Sequence, residues 1–460
     1  MGRQNTDAGK KVISRLFERK MTGSGDNTVM DDIALRKPKR AALFFVEGYL
    51  GVQPSVVSAA IHLARHGYDV DLYFVRPDLA YPTPSLPAGI RLVEYSPYIL
   101  DLTKCIRTIF PRSRAIDGNK AAIVTRKTTE SFVRIGVRAL VRKSEALINE
   151  FSKIVGFGLF CRRRVGEIDL VIAFDMPGLA VMALAAPWHV PFVYWSLEIT
   201  LLSEARNLAS LVLKRLEMLR LPKARAIVVQ SWQRADLLAQ DVVNVKERVT
   251  IVPNGPPEPR QESLPRDFFI KRFDISPTAT IVLHAGMIDP IMNSCEIAAA
   301  SKRWPNNFVL VFHERRKVSP TDPYLRAVQT AGGTRVFLSL DPVPFEMVDV
   351  VFAGAKIGLV CYRPINSNFA TTLMSSGKLV YYLRNGLPVV LVANRPPEFA
   401  DRWKCCICVP DVDEIGGALT MIASDYDRFS QQAKECYDDI FDFGRAFDRL
   451  MTLADINAVF

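Results

Sequence analysis

The sequence predicts an α/β protein with two successive doubly wound domains, and three observations lead to this prediction. Short apolar runs of strand length alternate with helically spaced segments through most of the chain. The alternation is interrupted by five prolines between residues 253 and 265, a composition typical of an interdomain linker. With 460 residues, of which 49% are apolar and 23% charged, the chain is long enough for two domains with sizeable cores.

The first half opens with a β-α-β unit. The apolar run 41–46 predicts a buried parallel strand, Val56–His66 has helical spacing, Gly67 ends that helix, and Val70–Val75 is the next strand. Further strands are predicted at Asp169–Phe174, Pro191–Tyr194, Ala226–Gln230 and Arg248–Val252, with helices at Gly178–Ala186 and Ser203–Leu219.

The second half repeats the scheme. Its predicted strands are Thr280–Leu283, Phe308–Phe312, Arg335–Leu338, Ile357–Cys361 and Pro388–Val392, and its helices include Ser294–Arg303 and Ser375–Arg384. The predicted organisation is a disordered basic arm (1–40), an N-terminal domain (41–255) with a basic insert (about 101–166), a linker (256–275), a C-terminal domain (276–435) and a final segment (436–460). Ligands bind beyond the carboxyl ends of the strands in such sheets, so the cleft between the domains is the expected site.

One short motif in the second half predicts an anion site. Ser375-Ser376-Gly377-Lys378 stands at the predicted start of a helix. A helix start leaves backbone N–H groups without partners beside the positive end of the dipole, and Lys378 adds a positive charge. The motif suits a diphosphate, although an ordinary helix cap with a solvated lysine explains it equally well.

Several segments, taken in order, resemble the retaining, family-4-like glycosyltransferases. Ser375–Val390 resembles their S-P-x-K-x-x-E-Y-L-A-x-G-x-P-V-V element, and Phe441-Asp442-Phe443 resembles the start of their last helix. Further similar segments are Arg225–Ser231, Val249–Gly255, Val171–Gly178 and Val193–Ile199. The resemblance implies a GT-B fold, with two Rossmann-like domains facing across a cleft and a C-terminal helix crossing back to the first domain. It also implies transfer of a sugar from a nucleotide-sugar donor with retention of configuration, using no cofactor and no metal.

The resemblance also assigns site residues. The donor side is expected to include Gly286, Asn366, Asn368, Ser375, Ser376, Gly377, Lys378 and Tyr381; the catalytic candidates are Glu198 and Asp175; and Gly48 and Gly51 are on the acceptor side. Each has an ordinary alternative. The asparagines are turn formers in many loops, the glutamate and aspartate suit solvated or ion-paired positions, and the glycines suit plain turns.

The sequence departs from the family pattern at positions that matter. Leu373 and Tyr381 stand where the family has two glutamates for the donor sugar and ribose, and Phe174 stands where it has a histidine. The family's arginine and lysine after Gly286 are also missing. Tyr381 has a hydroxyl to offer a ribose, but a helix tyrosine packed on the sheet fits as well.

Positive charge is concentrated in two segments, residues 1–40 and residues 101–166. The first contains 10 Lys and Arg against 5 Asp and Glu. The net charge is +11, and residues 101–166 contain 15 Lys and Arg against 5 Asp and Glu. Residues 128–160 have helical spacing, with Arg134, Arg138 and Arg142 in one stripe. A basic amphipathic helix of this kind suits an anionic membrane surface, whereas a core-packed helix with a solvated basic face is the alternative. Without aromatic interleaving or a known module, nucleic acid is not an expected partner.

The remaining features limit the functional classes. No apolar run is long enough for a transmembrane helix, and the N-terminus has no secretory signal pattern. Cys405, Cys406 and Cys408 have no histidine nearby in the sequence, so we expect buried thiols rather than a metal site. We therefore expect a cytoplasmic protein, and the basic segment places it peripherally on the inner membrane face. The family resemblance implies a hexosyltransferase that acts on a lipid-linked or growing saccharide. A catalytically silent scaffold of a polysaccharide-assembly complex is the alternative, and a sugar-nucleotide epimerase lacks the expected carboxylates and histidines.

Overall fold

The computed structural model describes residues 38–46, 49–76, 83–97 and 149–453. Two parallel sheets account for the strands in these ranges. The first has seven strands in the order β3-β2-β1-β4-β5-β6-β7, and the second has six in the order β10-β9-β8-β11-β12-β13, with each label defined below. These orders, with the first strand of each sheet near its centre, are typical of doubly wound folds.

The strands follow the predicted apolar runs. In the first sheet they are β1 Lys39–Phe45, β2 Tyr68–Val75, β3 Ile90–Tyr95, β4 Leu170–Phe174, β5 Phe192–Trp195, β6 Ala226–Val229 and β7 Val249–Ile251. In the second they are β8 Thr280–Gly286, β9 Phe308–Glu314, β10 Val336–Ser339, β11 Ile357–Cys361, β12 Val389–Val392 and β13 Cys406–Val409.

Helices cover both faces of each sheet. They are α1 Pro54–Arg65, α2 (149–162), α3 Asp175–Ala185, α4 Leu208–Arg220, α5 Trp232–Leu238, α6 Phe268–Phe273, α7 Ser294–Ser301, α8 Pro323–Gly332, α9 Val348–Ala353, α10 Ser367–Ala370, α11 Thr372–Ser375, α12 Gly377–Arg384, α13 Phe399–Arg402, α14 Ile415–Ser424, α15 Tyr426–Cys436 and α16 Phe443–Leu453. Single 3₁₀ turns lie at Leu50–Val52, Leu202–Glu204, Leu221–Lys223, Lys246–Arg248, Pro290–Met292, Gly333–Arg335, Phe345–Met347 and Val412–Glu414.

Burial on both faces explains the continuous apolar runs of the strands. In β1, Leu43 and Phe45 pack in a cluster with α1, whereas Ala42 and Phe44 pack in a second cluster with α3 and α4. Neighbouring residues of a strand point to opposite faces, so a strand covered by helices on both sides has no exposed alternation.

The last helix crosses back to the first domain. A π-helical turn at Tyr437–Phe441 follows α15, and α16 then places Phe443 and Phe447 in the first domain's core cluster. Their rings lie 6.0 and 6.3 Å from the Trp195 ring of β5 and nearly parallel to it. This helix therefore belongs to the core of the domain that it does not follow in sequence.

Several predicted elements begin or end differently. The helix predicted over Ser203–Leu219 begins only at Leu208, where Asn207 caps it, and the helix predicted over Gly178–Ala186 begins at Asp175. The predicted helix Ser375–Arg384 begins at Gly377, because Ser376 is extended and its hydroxyl caps the helix. Within the predicted linker, the apolar segment Phe268–Phe273 forms a helix that buries Phe269. The linker boundaries themselves stay a prediction.

Some predictions concern residues outside the described ranges. Gly48 and the arginine stripe Arg134, Arg138 and Arg142 are among them, as is nearly all of the predicted basic arm. Of the predicted basic helix, the structure describes only the end, within α2. Among the residues described, no helix combines the length and apolarity required to cross a bilayer.

Candidate active site

A cavity of about 240 Å³ lies between the carboxyl ends of the two sheets. From the second sheet, its wall includes Gly286 at the end of β8, His313 in β9 and Tyr362 directly after β11. The first domain contributes Leu197, after β5, and Gln53, before α1. Because doubly wound sheets bind ligands at these strand ends, this cavity is the candidate site.

The N-terminus of α12 opens on the cavity. The Ser376 hydroxyl accepts the Leu379 N–H at 3.3 Å and shares a 2.7 Å hydrogen bond with the Tyr362 hydroxyl. The backbone N–H groups of Gly377 and Lys378 come first in the helix and have no acceptor among the described residues. These two donors, at the positive end of the helix dipole, form a surface suited to an anion.

The Lys378 side chain lies in the same wall without a carboxylate partner. Its Nζ is 3.5 Å from His284 Nε2, 4.0 Å from Met292 Sδ and 4.8 Å from the centre of the Tyr362 ring. None of these groups is negatively charged, and within the described ranges no carboxylate oxygen lies within 4.0 Å of this ammonium. The lysine therefore has a charge that its protein surroundings leave uncompensated.

Burial and neighbouring charge both disfavour the ammonium. Burial, followed by the positive charge of Arg315, lowers the pKa of Lys378 to about 7. Burial, followed by the charge of Lys378, also holds the pKa of His284 well below its usual value. The imidazole is therefore neutral, and a ring nitrogen of this histidine is able to accept from the lysine.

The backbone at Gly286 has a conformation that favours glycine. Its φ of +115° is open to glycine but strained for other residues, and a Cβ there would lie 3.4 Å from Lys378 Nζ. The loop after it is held by Glu314 at the end of β9, whose carboxylate accepts the Ile288 N–H at 2.8 Å. The buried carboxylate thus fixes the loop, and the glycine provides the left-handed backbone conformation with which the loop begins.

Glu198 and Asn368 join the two domains at the side of the cavity. Asn368 donates to the Glu198 carboxylate at 2.5 Å and accepts the Ile199 N–H at 3.1 Å. Asn254 makes a second connection, since its amide donates to the Ser375 carbonyl at 2.7 Å. The two domains therefore contact each other at these points, and the asparagine amides bond to protein groups.

No protein-family model matches the sequence, and neither does any curated protein. Solved structures do match: sucrose-phosphate synthase from Thermosynechococcus elongatus superimposes with a TM-score of 0.59 and 14% identity, over 92% of this chain and 100% of that one. Anabaena Alr3699/HepE in complex with UDP and glucose gives 0.55 and 13%, over 92% and 100%. A glycosyltransferase from Rickettsia africae gives 0.56 and 11%, over 92% and 99%.

The chain has the GT-B fold. Its two parallel sheets, the cleft between their carboxyl ends and the returning helix α16 agree with these superpositions. The predicted fold class is therefore confirmed over nearly the whole chain. Identities of this size concern the fold and leave the chemistry to the residues of the site.

The GT-B cleft brings most predicted donor residues together. Of that set, the cavity wall includes Gly286, Asn368, Ser375, Ser376, Gly377, Lys378 and Tyr381, together with Glu198 and Gly51. Tyr381 is buried, and its ring stacks on Phe352 with centres 5.0 Å apart. Leu373, at the other family glutamate position, packs at the edge of the core. The roles assigned to these residues stay predictions.

Two predicted residues have other contacts and do not line this cavity. Asn366 caps α10, accepting the Phe369 N–H at 2.9 Å. Asp175 has a φ of +56°, and its carboxylate accepts the backbone N–H groups of Leu197 and Glu198 at 2.7 and 2.9 Å. These bonds give Asp175 a part in holding the Glu198 segment; a direct part in catalysis stays a prediction.

Two arginines of the cleft, Arg234 and Arg315, were not predicted as site residues. Arg234 in α5 is 2% exposed and bonds to the Leu197 carbonyl at 2.6 Å and to the Ser375 hydroxyl at 3.1 Å. Arg315, directly after β9, is exposed and contacts the Val52 carbonyl. The sequence contains one signal for Arg234. Ser231 caps α5, which places Arg234 in the first turn of that helix.

The cavity carries more positive than negative charge. Its wall, as described here, includes Arg234, Arg315 and Lys378 but a single carboxylate, that of Glu198. Burial lowers the pKa of His313 to about 4, so this fourth basic side chain is neutral at pH 7. Within the described ranges, no group of three or more His, Cys, Asp or Glu side chains is placed to hold a metal ion. The arrangement is suited to an anionic ligand.

Proposed function

We propose that the protein is a glycosyltransferase that binds the diphosphate of a nucleotide-sugar donor at the N-terminus of α12. The observation that carries this proposal is the pairing of unbonded N–H groups at Gly377 and Lys378 with an ammonium that has no carboxylate partner. A diphosphate accepts from both kinds of donor and becomes the leaving group when the sugar is transferred. The Anabaena neighbour, in complex with UDP and glucose, supports a nucleotide-sugar donor for this chain.

The finer parts of the proposal follow the family resemblance. The donor sugar is a hexose, configuration is retained, and the charge of the leaving diphosphate is neutralised by α12 and basic side chains without a metal. Glu198 lies in the cavity wall on the acceptor side and orients the acceptor hydroxyl, while Gly51 lets the acceptor approach the backbone. The acceptor is a lipid-linked or growing saccharide.

One observation favours a second function. The two positions where the family has glutamates hold Leu373, which packs at the core edge, and Tyr381, whose ring stacks on Phe352. The carboxylate of Glu198 is engaged by Asn368. A protein that binds a sugar nucleotide without transferring the sugar, and that scaffolds a polysaccharide-assembly complex, also fits these facts.

Transfer of labelled sugar separates the two functions. Purified protein is incubated with radiolabelled UDP-, GDP- or ADP-hexoses and with a membrane lipid extract, and label is counted in the lipid and polymer fractions. A transferase labels one of these fractions, and Lys378→Met abolishes the labelling. Binding of a sugar nucleotide without label in either fraction contradicts the transferase and favours the scaffold.

Donor binding is expected to take up a proton above pH 7. Unliganded Lys378 has a pKa lowered from 10.5 to about 7, so most of these side chains are neutral at pH 8. A bound diphosphate favours the ammonium and raises the pKa again, so affinity for the sugar nucleotide falls as the pH rises from 7 to 9, by up to about tenfold per pH unit. Lys378 also affects the stability of the unliganded protein. Between pH 7 and 10.5 this lysine is protonated in the unfolded chain but mostly neutral in the folded one, so the free energy of unfolding rises with pH in that window.

Calorimetry at pH 8 in two buffers of different ionisation enthalpy measures this uptake. The diphosphate of a sugar nucleotide has no proton to gain near neutral pH, so uptake reports on the protein. Wild type is expected to take up a fraction of a proton approaching one, and Lys378→Met much less. Equal heats in the two buffers for wild type would show that the lysine does not titrate on binding.

We also propose that the first domain rests on an anionic membrane, on the cytoplasmic face of the inner membrane. Two features support this proposal: the sequence of the basic segment, which lies outside the described residues, and an exposed apolar stripe on α4. The stripe consists of Leu208, Leu211, Val212 and Leu219. Trp188, which follows α3, is 74% exposed and is covered on one side by the Arg220 guanidinium at 4.3 Å. Exposed apolar groups next to positive charge suit the headgroup region.

Vesicle flotation tests this membrane contact. Binding to phosphatidylglycerol-containing vesicles is expected to exceed binding to pure phosphatidylcholine vesicles and to weaken at high salt. Changing Arg134, Arg138 and Arg142 to Glu removes the charge contribution, whereas Leu208→Ser with Leu219→Ser removes the apolar one. Equal binding to both vesicle types, or binding unaffected by both sets of changes, contradicts the proposal.

A further inference from the structure

Arg234 is a buried cation whose desolvation the surrounding protein offsets only in part. Its side chain is 2% exposed, and its Nε has no hydrogen-bond partner. Within the described ranges, no carboxylate oxygen lies within 4.0 Å of the guanidinium. A buried charge without a counterion is among the most costly features a fold contains. Such a group is retained where a ligand supplies the missing charge.

The two carboxylates whose charges act on Arg234 are engaged elsewhere. Asp175 accepts two backbone N–H groups of the segment after β5, and Glu198 accepts from Asn368 across the cleft. Burial lowers the pKa of Arg234, and the more distant charges of Glu198 and Asp175 offset this only in part. The arginine remains charged because its ordinary pKa lies far above neutral pH.

Arg234 lies next to the proposed diphosphate site. The guanidinium lines the cavity and donates to the Ser375 hydroxyl at 3.1 Å, two residues before the first residue of α12. It therefore lies beside the same helix N-terminus as the Gly377 and Lys378 donors. The arginine belongs to the first domain and the helix to the second, so the two groups meet across the cleft.

We propose that Arg234 is a second cationic ligand of the donor diphosphate, supplied from the first domain. This inference rests on the proposed function, because it takes the ligand at α12 to be a diphosphate. A diphosphate bound between Lys378 and Arg234 is held by both domains. Release of the leaving diphosphate then requires these domains to separate, which couples catalysis to opening of the cleft.

A diphosphate role for Arg234 also accounts for the missing basic residues after Gly286. The segment Met287–Asn293 contains no Lys or Arg. Arg234 provides a guanidinium from the opposite wall, and its planar fork of donors suits two phosphate oxygens. The charge that a diphosphate requires is thus assembled from two domains.

Binding and unfolding of three variants test this role. Arg234→Met removes the charge, and Arg234→Lys keeps the charge without the fork. Arg326→Met is the matched control, because Arg326 is an exposed arginine of α8 whose guanidinium bonds to the Thr321 carbonyl and lies outside the cavity wall. Inorganic pyrophosphate, UDP, GDP and ADP are the probes, measured by calorimetry, and thermal unfolding is followed without ligand. Arg234→Met is expected to weaken the binding of pyrophosphate and of the preferred nucleotide about 10- to 100-fold, with Arg234→Lys intermediate and Arg326→Met unchanged. The unliganded melting temperature of Arg234→Met is expected not to fall, because an uncompensated charge has been removed.

The possible outcomes separate this inference from the proposed function. If wild type and Arg234→Met bind the probes equally, or if the variant only lowers the melting temperature, the diphosphate role is overturned while the function stands. If pyrophosphate binding depends on Arg234 but none of UDP, GDP and ADP binds, the inference stands and the proposed nucleotide-sugar donor is wrong. If wild type binds none of the probes, both are overturned.

Discussion

Replacing Lys378 by Met is expected to weaken binding of the donor nucleotide about 10- to 150-fold, the equivalent of about 1.5–3 kcal/mol for a charged hydrogen bond. The physical reason is that the ammonium lies at the anion-binding end of α12 with an imidazole, a thioether and an aromatic ring around it. None of these groups compensates the charge, so under the proposed function a bound phosphate serves as its counterion. The measurement is titration calorimetry with the preferred nucleotide at pH 6.5, where wild-type Lys378 is largely charged.

Lys356→Met is the matched control for this change. Lys356 lies in the same domain with its ammonium 5.4 Å from the Tyr426 ring, much as Lys378 lies over Tyr362, but it is exposed and does not line the cavity. It should bind nucleotide as wild type does. Tyr381→Phe is expected to cost less than Lys378→Met, because it removes a neutral hydroxyl. Equal affinity of wild type and a folded Lys378→Met would place the phosphate site elsewhere.

Replacing Phe447 by Ala is expected to lower the free energy of unfolding by about 3–5 kcal/mol. Phe447 in α16 is fully buried, and its ring packs against those of Phe443, at 5.8 Å, and Trp195, at 6.3 Å. The ring belongs to the core of the first domain although α16 follows the second, so its removal leaves a cavity at the contact that joins them. Urea unfolding followed by tryptophan fluorescence measures the change.

Leu453→Ala on the same helix is the control for the Phe447 result. Leu453 is 72% exposed, so its truncation should change stability by less than about 0.5 kcal/mol. A cost below about 1 kcal/mol for Phe447→Ala would mean that α16 does not share the first domain's core.

The fold could be predicted from the sequence because its strands are buried on both faces. Ile357–Cys361 is predicted and observed with the same bounds, since a continuous apolar run between polar loops leaves little choice. The edge strand β3 was missed because Arg91 and Glu94 interrupt its apolar residues. Helix α5 was missed because its seven residues are too short for a helical period to stand out.

The site was predicted in the part that a continuous segment carries. Ser376, Gly377 and Lys378 are adjacent in sequence, so their shared geometry at one helix start follows from local rules. Arg234 was missed because its hydrogen bond to Ser375 joins residues 141 positions apart, which meet only where the two domains contact each other. Local patterns contain no information about which side chains meet across a cleft.

The predicted carboxylate and asparagine roles illustrate a second limit. Asp175 and Asn368 were chosen because they follow strands at the cleft, and the structure places both near it. Their side chains bond to backbone N–H groups of the segment after β5, at Leu197, Glu198 and Ile199. A strand end predicts where a polar side chain lies, but its partner depends on the loop that comes to meet it.

The central claim is that the cleft binds a nucleotide sugar, and a thermal-shift panel of UDP-, GDP- and ADP-sugars tests it most directly. Binding stabilises the folded state by mass action, by about 2.7 kcal/mol at a ligand concentration 100 times the Kd. We expect one nucleotide class to raise the melting temperature of wild type by several degrees and to raise that of Lys378→Met much less. An unchanged melting temperature with every sugar nucleotide, at millimolar concentrations, would contradict the account.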